Sequence, residues 1–190
     1  MTKIAIWCRH KDDNVIGIGN NIPWRIPSDL RRFRHLTEGK TLVAGKNTYE
    51  SFPNRTLPNR KILVVVNEPD YKVSDPENHF VIEDLKMLES YADDLYISGG
   101  ASIYKAFFTT ETLLPDIVVD SVYQGELDAG LSGNPVTVSA SVAVLEKKYM
   151  PLVPSYELDN VKTTVWVKKG DFVDQNVIKA ICKYLETEGD

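Results

Sequence analysis

Residues 14–30 read NVIGIGNNIPWRIPSDL and are the most informative part of the sequence. The first half is rich in glycine and asparagine. Glycine allows a loop to take positive φ angles and to approach a ligand closely. After Trp24, the spacing predicts a helix over Ser28 to Leu36, with Ser28 as its N-cap. The stretch therefore predicts a loop that folds over a ligand and leads directly into a helix.

A single carboxylate, Asp29, lies at the start of that helix beside the apolar side chains of Leu30 and Phe33. A carboxylate next to an apolar wall can bind a flat, cationic or amidine-like heterocycle through two parallel hydrogen bonds. An acidic residue in the first turn can instead serve only to interact favourably with the helix dipole. The spacing alone leaves both interpretations of Asp29 open.

Two other segments have the order strand, glycine, helix. Thr41–Ala44 leads into Gly45-Lys46-Asn47-Thr48, and Leu95–Ser98 leads into Gly99-Gly100-Ala101-Ser102. Free amides at two such helix starts, together with the Lys46 ammonium, can hold the two halves of a pyrophosphate. Neither segment is a Gly-x-Gly-x-x-Gly fingerprint or a Walker loop, so a plain helix entry remains the alternative for each.

A basic turn precedes the next apolar run, at Asn54 to Lys61. Within it, the planar guanidinium of Arg60 can bind a carboxylate on a substrate tail through two bonds. A solvated loop arginine is the alternative interpretation.

The composition is that of one globular domain: 190 residues, 43% hydrophobic and 26% charged. A net charge of -5 disfavours nucleic acid as a partner. The apolar runs are far shorter than the roughly 20 residues of a membrane helix, and no signal-peptide core is evident. We therefore expect a cytoplasmic protein without a membrane partner. Cys8 and Cys182 are expected to be free thiols. No metal site is expected, because the cysteines and histidines do not have the spacing of a metal-ligand set.

Apolar runs of strand length alternate with helix-like stretches, which predicts an α/β domain. The predicted strands are Lys3–Arg9, Thr41–Ala44, Lys61–Val66, Leu95–Ser98 and Ile117–Tyr123, with Ser141–Tyr149 and Val161–Lys169 as an antiparallel pair at the sheet edge. The further predicted helices are Lys46–Phe52, Ile82–Ala92 and Ala101–Phe108.

The chain after Gly170 predicts an amphipathic helix. Val177, Ile178, Ile181 and Leu185 fall on one face of it. We expect this face to pack within the chain, with contact to another subunit as the alternative, and the protein to be a monomer. The expected division is a catalytic domain over 1–170 and a helical tail over 171–190, whose removal should leave the chemistry intact.

Taken together, these segments resemble the dihydrofolate reductase family. The resemblance rests on Ile22-Pro23-Trp24 with Asp29, on Gly45 to Ser51, on Leu57-Pro58-x-Arg60-Lys61, and on Gly99-Gly100 ahead of Tyr104, all in the family's order. It covers residues 1 to about 124 well and fits less closely to about 169. It implies a mostly parallel eight-stranded sheet flanked by helices, with an antiparallel C-terminal edge. It also implies NADPH-dependent reduction of 7,8-dihydrofolate to tetrahydrofolate.

The resemblance also implies site residues, which fall into three groups. The catalytic group is Asp29, Trp24, Ile22 and Tyr104. The substrate-binding group is Ile6, Asp29, Leu30, Phe33, Phe52, Leu57, Arg60 and Asp120. The NADPH-binding group is Ile16, Asn20, Gly45, Lys46, Asn47, Thr48, Val66, Asn67, Ser98, Gly99, Gly100, Ala101, Ser102 and Ile103.

Specific roles follow from the same resemblance. Asp29 holds the 2-amino group and N3 of the pterin, and Arg60 binds the α-carboxylate of the glutamate tail. The loop that carries Ile22 and Trp24 closes over the nicotinamide, and the bond between Gly99 and Gly100 is expected to be cis.

The sequence departs from the family pattern at two places. Asp120 stands where the family usually has a threonine that bonds the pterin-binding carboxylate, although a one-residue shift would turn Ser121 inward instead. Few basic residues surround the expected adenosine phosphate, so a preference for NADPH over NADH rests mainly on Lys46. The alternatives are a pyrimidine reductase of riboflavin synthesis with the same fold, and a non-catalytic binding protein, which only Asp120 favours.

Overall fold

A mixed β-sheet forms the centre of the molecule, in a computed structural model that describes residues 1–188. The strands are β1 (Lys3–His10), β2 (Val15–Ile18), β3 (Thr41–Gly45), β4 (Lys61–Val65), β5 (His79–Ile82), β6 (Leu95–Gly99), β7 (Ile117–Tyr123), β8 (Pro135–Thr137), β9 (Tyr149–Pro151), β10 (Tyr156–Leu158) and β11 (Val161–Lys168). The helices are α1 (Pro27–Thr37), α2 (Lys46–Ser51), α3 (Ala101–Thr109), α4 (Ser139–Lys148) and α5 (Gln175–Thr187).

Eight strands lie side by side in the order β10-β11-β7-β1-β6-β3-β4-β5, and β9 also pairs with β11. Every neighbouring pair from β7 to β5 is parallel, whereas β11 runs antiparallel to β7, β9 and β10. Strands β2 and β8 form a separate antiparallel ribbon. The predicted mostly parallel sheet with an antiparallel C-terminal edge is therefore confirmed.

The two faces of the sheet pack against different helices, because successive side chains of a strand point to opposite sides. On β1, Ile4 and Ile6 join a buried cluster with residues of α1 and α5. Ala5 and Trp7 point to the other face and join a cluster with residues of α3 and α4. Helices α2 and α3 begin at the carboxyl ends of the neighbouring strands β3 and β6, so both glycine turns meet at one edge of the sheet. That edge is where ligands bind in open α/β sheets.

Helix α4 replaces the strand predicted over Ser141–Tyr149, so that prediction is wrong. The valine-rich alternation fits a strand, but the buried residues Val138, Val142, Leu145 and Tyr149 are spaced by four, three and four. This spacing is helical, and all four side chains fill one cluster.

The helix predicted over Ile82–Ala92 is also wrong. Ile82 ends β5, and only Leu85–Leu88 forms a short 3-10 helix, with the Asp84 side chain accepting a hydrogen bond from the Lys86 amide at its start. Leu88 alone is fully buried in this turn, so nothing extends the helix to Ala92.

Ser28 does not cap α1 as predicted, because the helix begins one residue earlier, at Pro27, with Ile26 at the N-cap. Its hydroxyl is instead buried and has no hydrogen-bond partner within residues 1–188.

The tail forms the expected helix and packs within the chain. Ile178, Ile181 and Leu185 of α5 are buried against the sheet in the cluster that also holds Ile4 and Ile6, and Val177 packs beside them. The last residues of the predicted tail, 189 and 190, lie outside the described residues. The division into a catalytic domain and a tail stays a prediction.

Candidate active site

One cleft of about 1240 Å³ runs along the carboxyl edge of the sheet. Its walls come from β2 and the loop after it, from α1, from both glycine turns and from the basic turn before β4. The volume is large for a single small molecule, since typical ligand sites span about 300–1,000 Å³. The structure brings every predicted site residue to this cleft except Asp120.

Asp29 lies in the first turn of α1 with its side chain 20% exposed to the cleft. Burial raises the pKa of Asp29 to about 6; Arg32 opposes that rise, and the negative charge of Glu188 adds to it. The carboxylate is therefore mostly ionised at pH 7 and can accept hydrogen bonds from a bound ligand. This geometry favours the ligand-binding interpretation over a role in the helix dipole alone.

Cys8 and Ser121 were not among the predicted site residues, yet both line the cleft. Cys8 lies two residues after Ile6 on β1 and therefore shares its face, which the period of a strand would have indicated. Burial raises the pKa of the Cys8 thiol far above its usual value, and the negative charge of Asp29 adds to that rise, so the thiol stays neutral. Cys8 therefore belongs to the wall of the site around Asp29.

Asp120 points away from the cleft, so its predicted contact with the pterin is wrong. Its carboxylate accepts hydrogen bonds from Trp7 Nε1 at 2.6 Å and from Arg9 Nε at 2.8 Å on the opposite face of the sheet. Ser121, the next residue of β7, faces the cleft side, where it lies 3.0 Å from the Thr163 hydroxyl. The hydroxyl residue of this strand is therefore Ser121.

Arg60 also lines the cleft and is 7% exposed. Its Nη1 and Nη2 donate to the carbonyls of Pro58 at 2.5 Å and Arg34 at 2.6 Å, with longer contacts to Thr37. Within the described part of the chain, no carboxylate lies in ion-pair distance of it. Burial lowers its pKa, and a buried charge without a partner favours an anionic ligand.

The two glycine turns are packed so closely that an added side chain would crowd its neighbours. A Cβ added at Gly45 would lie 2.9 Å from the Ile103 side chain, and one at Gly100 would lie 3.1 Å from the Thr48 hydroxyl. The bond between Gly99 and Gly100 is cis, as predicted. Among the residues that the structure describes, no side chain caps α2 or α3, so the backbone amides of these turns stay available to an anion. The residues present therefore fit a dinucleotide phosphate.

Lys46 does not stand free at this end of the cleft. Its ammonium lies 2.6 and 2.7 Å from the two carboxylate oxygens of Glu68, which also lines the cleft. Sequence reasoning missed Glu68, because no pattern connects it with Lys46 across 22 residues.

The remaining predicted catalytic residues, Tyr104, Trp24 and Ile22, also line the cleft. Tyr104 is buried and donates from its hydroxyl to the Ile6 carbonyl at 2.5 Å. Trp24 packs on Tyr123 with ring centroids 5.2 Å apart, while Ile22 is 57% exposed at the mouth of the cleft. An apolar side chain so exposed at a cleft mouth is available to cover a ligand.

Fold and cleft together define the class: an α/β enzyme whose site combines a dinucleotide cradle with a carboxylate for a flat heterocycle. Comparison with known proteins then identifies the family within this class. Residues 3–129 match the family model described as dihydrofolate reductase. The chain belongs to the dihydrofolate reductase family.

Individual relatives agree with this assignment. The chain is 34% identical over 131 residues to a dihydrofolate reductase of Enterococcus faecium, covering 67% of this chain and 77% of that protein. It is 33% identical over 126 residues to one of Neisseria meningitidis serogroup A, covering 66% and 78%. A solved dihydrofolate reductase from Enterococcus faecalis, complexed with NADP(H) and RAB-propyl, superposes with a TM-score of 0.71 at 21% identity, over 88% of this chain and 96% of that one. This last likeness supports the fold.

Among the described residues, no helix has both the length and the apolar character needed to cross a bilayer.

Proposed function

We propose that this protein reduces 7,8-dihydrofolate to 5,6,7,8-tetrahydrofolate with NADPH. One observation supports dihydrofolate as the substrate: a half-buried carboxylate, Asp29, and a buried guanidinium, Arg60, line the same cleft, and Arg60 has no acidic partner among residues 1–188. The first suits an aminopterin ring and the second suits an acidic tail, and dihydrofolate contains both.

The ionised Asp29 accepts hydrogen bonds from the 2-amino group and N3 of the pterin. Its negative charge favours a proton at N5, which solvent supplies. When bound, NADPH supplies the hydride that reduces C6. The protein contributes alignment, exclusion of water and electrostatics rather than the redox chemistry itself.

The remaining substrate contacts are proposals of the same kind. Ile6, Leu30, Phe33, Phe52 and Leu57 all line the cleft and supply apolar walls for the pterin and the aminobenzoyl ring. The backbone of the two glycine turns, with Thr48 and Ser102, would hold the cofactor phosphates. Ile22 and Trp24 would close over the nicotinamide, and such closure often limits turnover through product release.

An absorbance assay tests this function directly. The reduced nicotinamide absorbs at about 340 nm and the oxidised form does not, so the loss of this absorbance follows the oxidation of NADPH after 7,8-dihydrofolate is added to the purified chain. We expect turnover with dihydrofolate and none with a ribosylaminopyrimidine of the riboflavin type, which lacks the acidic tail. Turnover of the pyrimidine, or of neither substrate, would contradict the proposal. The non-catalytic alternative loses its only support, because Asp120 faces away from the cleft.

A cytoplasmic, monomeric enzyme is part of this proposal. Cys8 and Cys182 are unpaired, which suits a reducing compartment. The apolar face of α5 is buried within the chain, so it is not available to a second subunit.

Glu68 is expected to weaken the binding of NADPH. It forms an ion pair with the Lys46 ammonium and places a negative charge where the 2'-phosphate is expected. In a Glu68→Gln variant, we expect the Kd of NADPH to fall about threefold and the Kd of NADH to stay unchanged, since an exposed ion pair contributes little. Quenching of tryptophan fluorescence measures both constants. Glu77→Gln, at an exposed position, is the matched control. An equal change for both cofactors would rule out a role at the 2'-phosphate.

A further inference from the structure

Arg32 lies between two carboxylates that come from opposite ends of the chain. Its side chain is 1% exposed. Its Nε donates to both carboxylate oxygens of Glu188, at 2.8 and 3.0 Å, and Nη2 also contacts Glu188. Its Nη1 lies 3.5 Å from Asp29 Oδ1 and donates to the Ser121 hydroxyl at 3.2 Å. One guanidinium therefore connects the C-terminal helix with the carboxylate of the candidate active site.

Helix α5 is held in the position that this contact needs. Its apolar face is buried against the sheet, as described above. Tyr184, one turn before Glu188, stacks on His35 of α1 with ring centroids 3.9 Å apart and planes 10° apart. Glu188 follows the last turn of α5, and its side chain is 5% exposed. The ion pair with Arg32 is thus buried and supported on both sides.

The two carboxylates compete for the same cation. Asp29 precedes Arg32 by three residues on α1, a spacing at which an arginine can pair fully with an acidic side chain. In the structure Glu188 takes the short, two-oxygen contact and leaves Asp29 with a single long one. The oxygens of Asp29 consequently remain available to a ligand in the cleft.

We propose that Arg32 and Glu188 are positioning residues for Asp29. The Glu188 carboxylate keeps the Arg32 guanidinium from pairing fully with Asp29, so that Arg32 orients Asp29 and leaves its oxygens available to a ligand. This inference rests on the proposed function for its consequence in turnover, although the contact itself does not. It also reverses the expectation that residues 171–190 are dispensable for the chemistry.

The charges around Asp29 make its pKa a measurable test of the proposal. Arg32 lowers the pKa of Asp29, and Glu188 raises it. The other titratable groups that influence the site are the Cys8 thiol of β1 and the Tyr104 phenol of α3, and the pKa of each is raised so far that both stay neutral. Removing either partner of the ion pair should therefore move the titration of Asp29, in opposite directions for the two partners.

The test is a titration of the Asp29 carboxyl by ¹³C NMR, with the resonance assigned by its loss in Asp29→Asn. We expect Glu188→Gln to lower the midpoint from about 6 by about one pH unit, because a negative charge is removed and Arg32 turns toward Asp29. Arg32→Gln should raise the midpoint. Opposite shifts distinguish electrostatic positioning from a loosened tail, which would move both variants in one direction.

Kinetics supply the second measurement. Glu188→Gln should raise the KM for dihydrofolate about fivefold, since Asp29 must release Arg32 to bind the pterin, and leave the KM for NADPH unchanged. Glu186→Gln makes the same chemical change at an exposed position of α5 and should match the wild type in both measurements.

An unchanged Asp29 midpoint in Glu188→Gln overturns the proposal, whether or not Arg32→Gln folds. The titration needs no turnover. If the wild-type chain failed to reduce dihydrofolate while the midpoints shifted as expected, the proposed function would fail and the positioning pair would stand.

Discussion

Replacing Asp29 with asparagine is expected to lower kcat/KM for dihydrofolate by about 100- to 1000-fold at pH 7, while NADPH still binds almost normally. Asparagine carries no charge and offers one carbonyl oxygen in place of two carboxylate oxygens. It cannot accept both expected hydrogen bonds from the pterin, and it no longer favours a proton at N5. We expect the glycine turns to hold the cofactor phosphates, so NADPH binding should not depend on this side chain.

The size of this loss should depend on pH. The pKa of Asp29 is about 6, so the wild-type carboxylate is largely ionised at pH 7 and progressively protonated below pH 6. At low pH the wild type loses its advantage, while solvent protonates N5 more readily in both proteins. The ratio of wild-type to variant kcat/KM should therefore be largest at pH 8 and smallest near pH 5.

Steady-state kinetics from pH 5 to pH 8, with NADPH binding measured by fluorescence, check this expectation. Asp12→Asn is the matched control, because Asp12 lies exposed in the turn after β1. A variant that turns over dihydrofolate normally at neutral pH would refute the role given to Asp29.

Local patterns in the sequence predict most of the cleft, because most of its residues belong to short segments with their own signature. The turns at Gly45 and Gly99 each read as strand, glycine and helix, and parallel strands necessarily bring such turns to one edge. Asp29 and Phe33 follow from the helix that begins after the loop. These segments lie together in the structure as expected.

The errors arise where a local pattern is ambiguous. Side chains of a strand alternate, so a shift of one residue exchanges the two faces, and nothing in residues 118–122 says which of Asp120 and Ser121 points inward. The pairing of Trp7 and Arg9 with Asp120 resolves this, and it depends on residues more than a hundred positions away. At Ser141–Tyr149, a valine-rich alternation and a helical spacing are both present, and packing against α3 and the sheet selects the helix.

Long-range contacts lie beyond such reasoning altogether. Glu188 and Arg32 are 156 residues apart, and the amphipathic pattern of α5 predicts only that the helix packs somewhere. Which polar residue then reaches the site depends on the docked position of the helix.

Replacing Arg60 with lysine is expected to raise the KM for dihydrofolate about 30-fold. Lysine keeps the positive charge but cannot bind a carboxylate through two parallel bonds, and a hydrogen bond to a charged group contributes about 1.5–3 kcal/mol. In the structure each terminal nitrogen of Arg60 already donates one hydrogen bond to a backbone carbonyl, and these two bonds orient the guanidinium. Each such nitrogen carries a second N–H, which the glutamate tail can use once the long Thr37 contacts give way.

A substrate without the tail separates binding from stability. For a 7,8-dihydropterin that lacks the benzoylglutamate group, Arg60→Lys should leave kcat/KM unchanged, whereas a general loss of folding would lower it for both substrates. Arg55→Lys, in the same basic turn but with its side chain 52% exposed, should behave as the wild type toward both. The guanidinium is buried and has no acidic partner in the described chain, so its burial costs free energy in the free protein. Binding of a substrate carboxylate would offset that cost. A loss of the same size with the tail-free pterin would therefore mean that Arg60 supports the wall of the cleft and does not recognise the substrate.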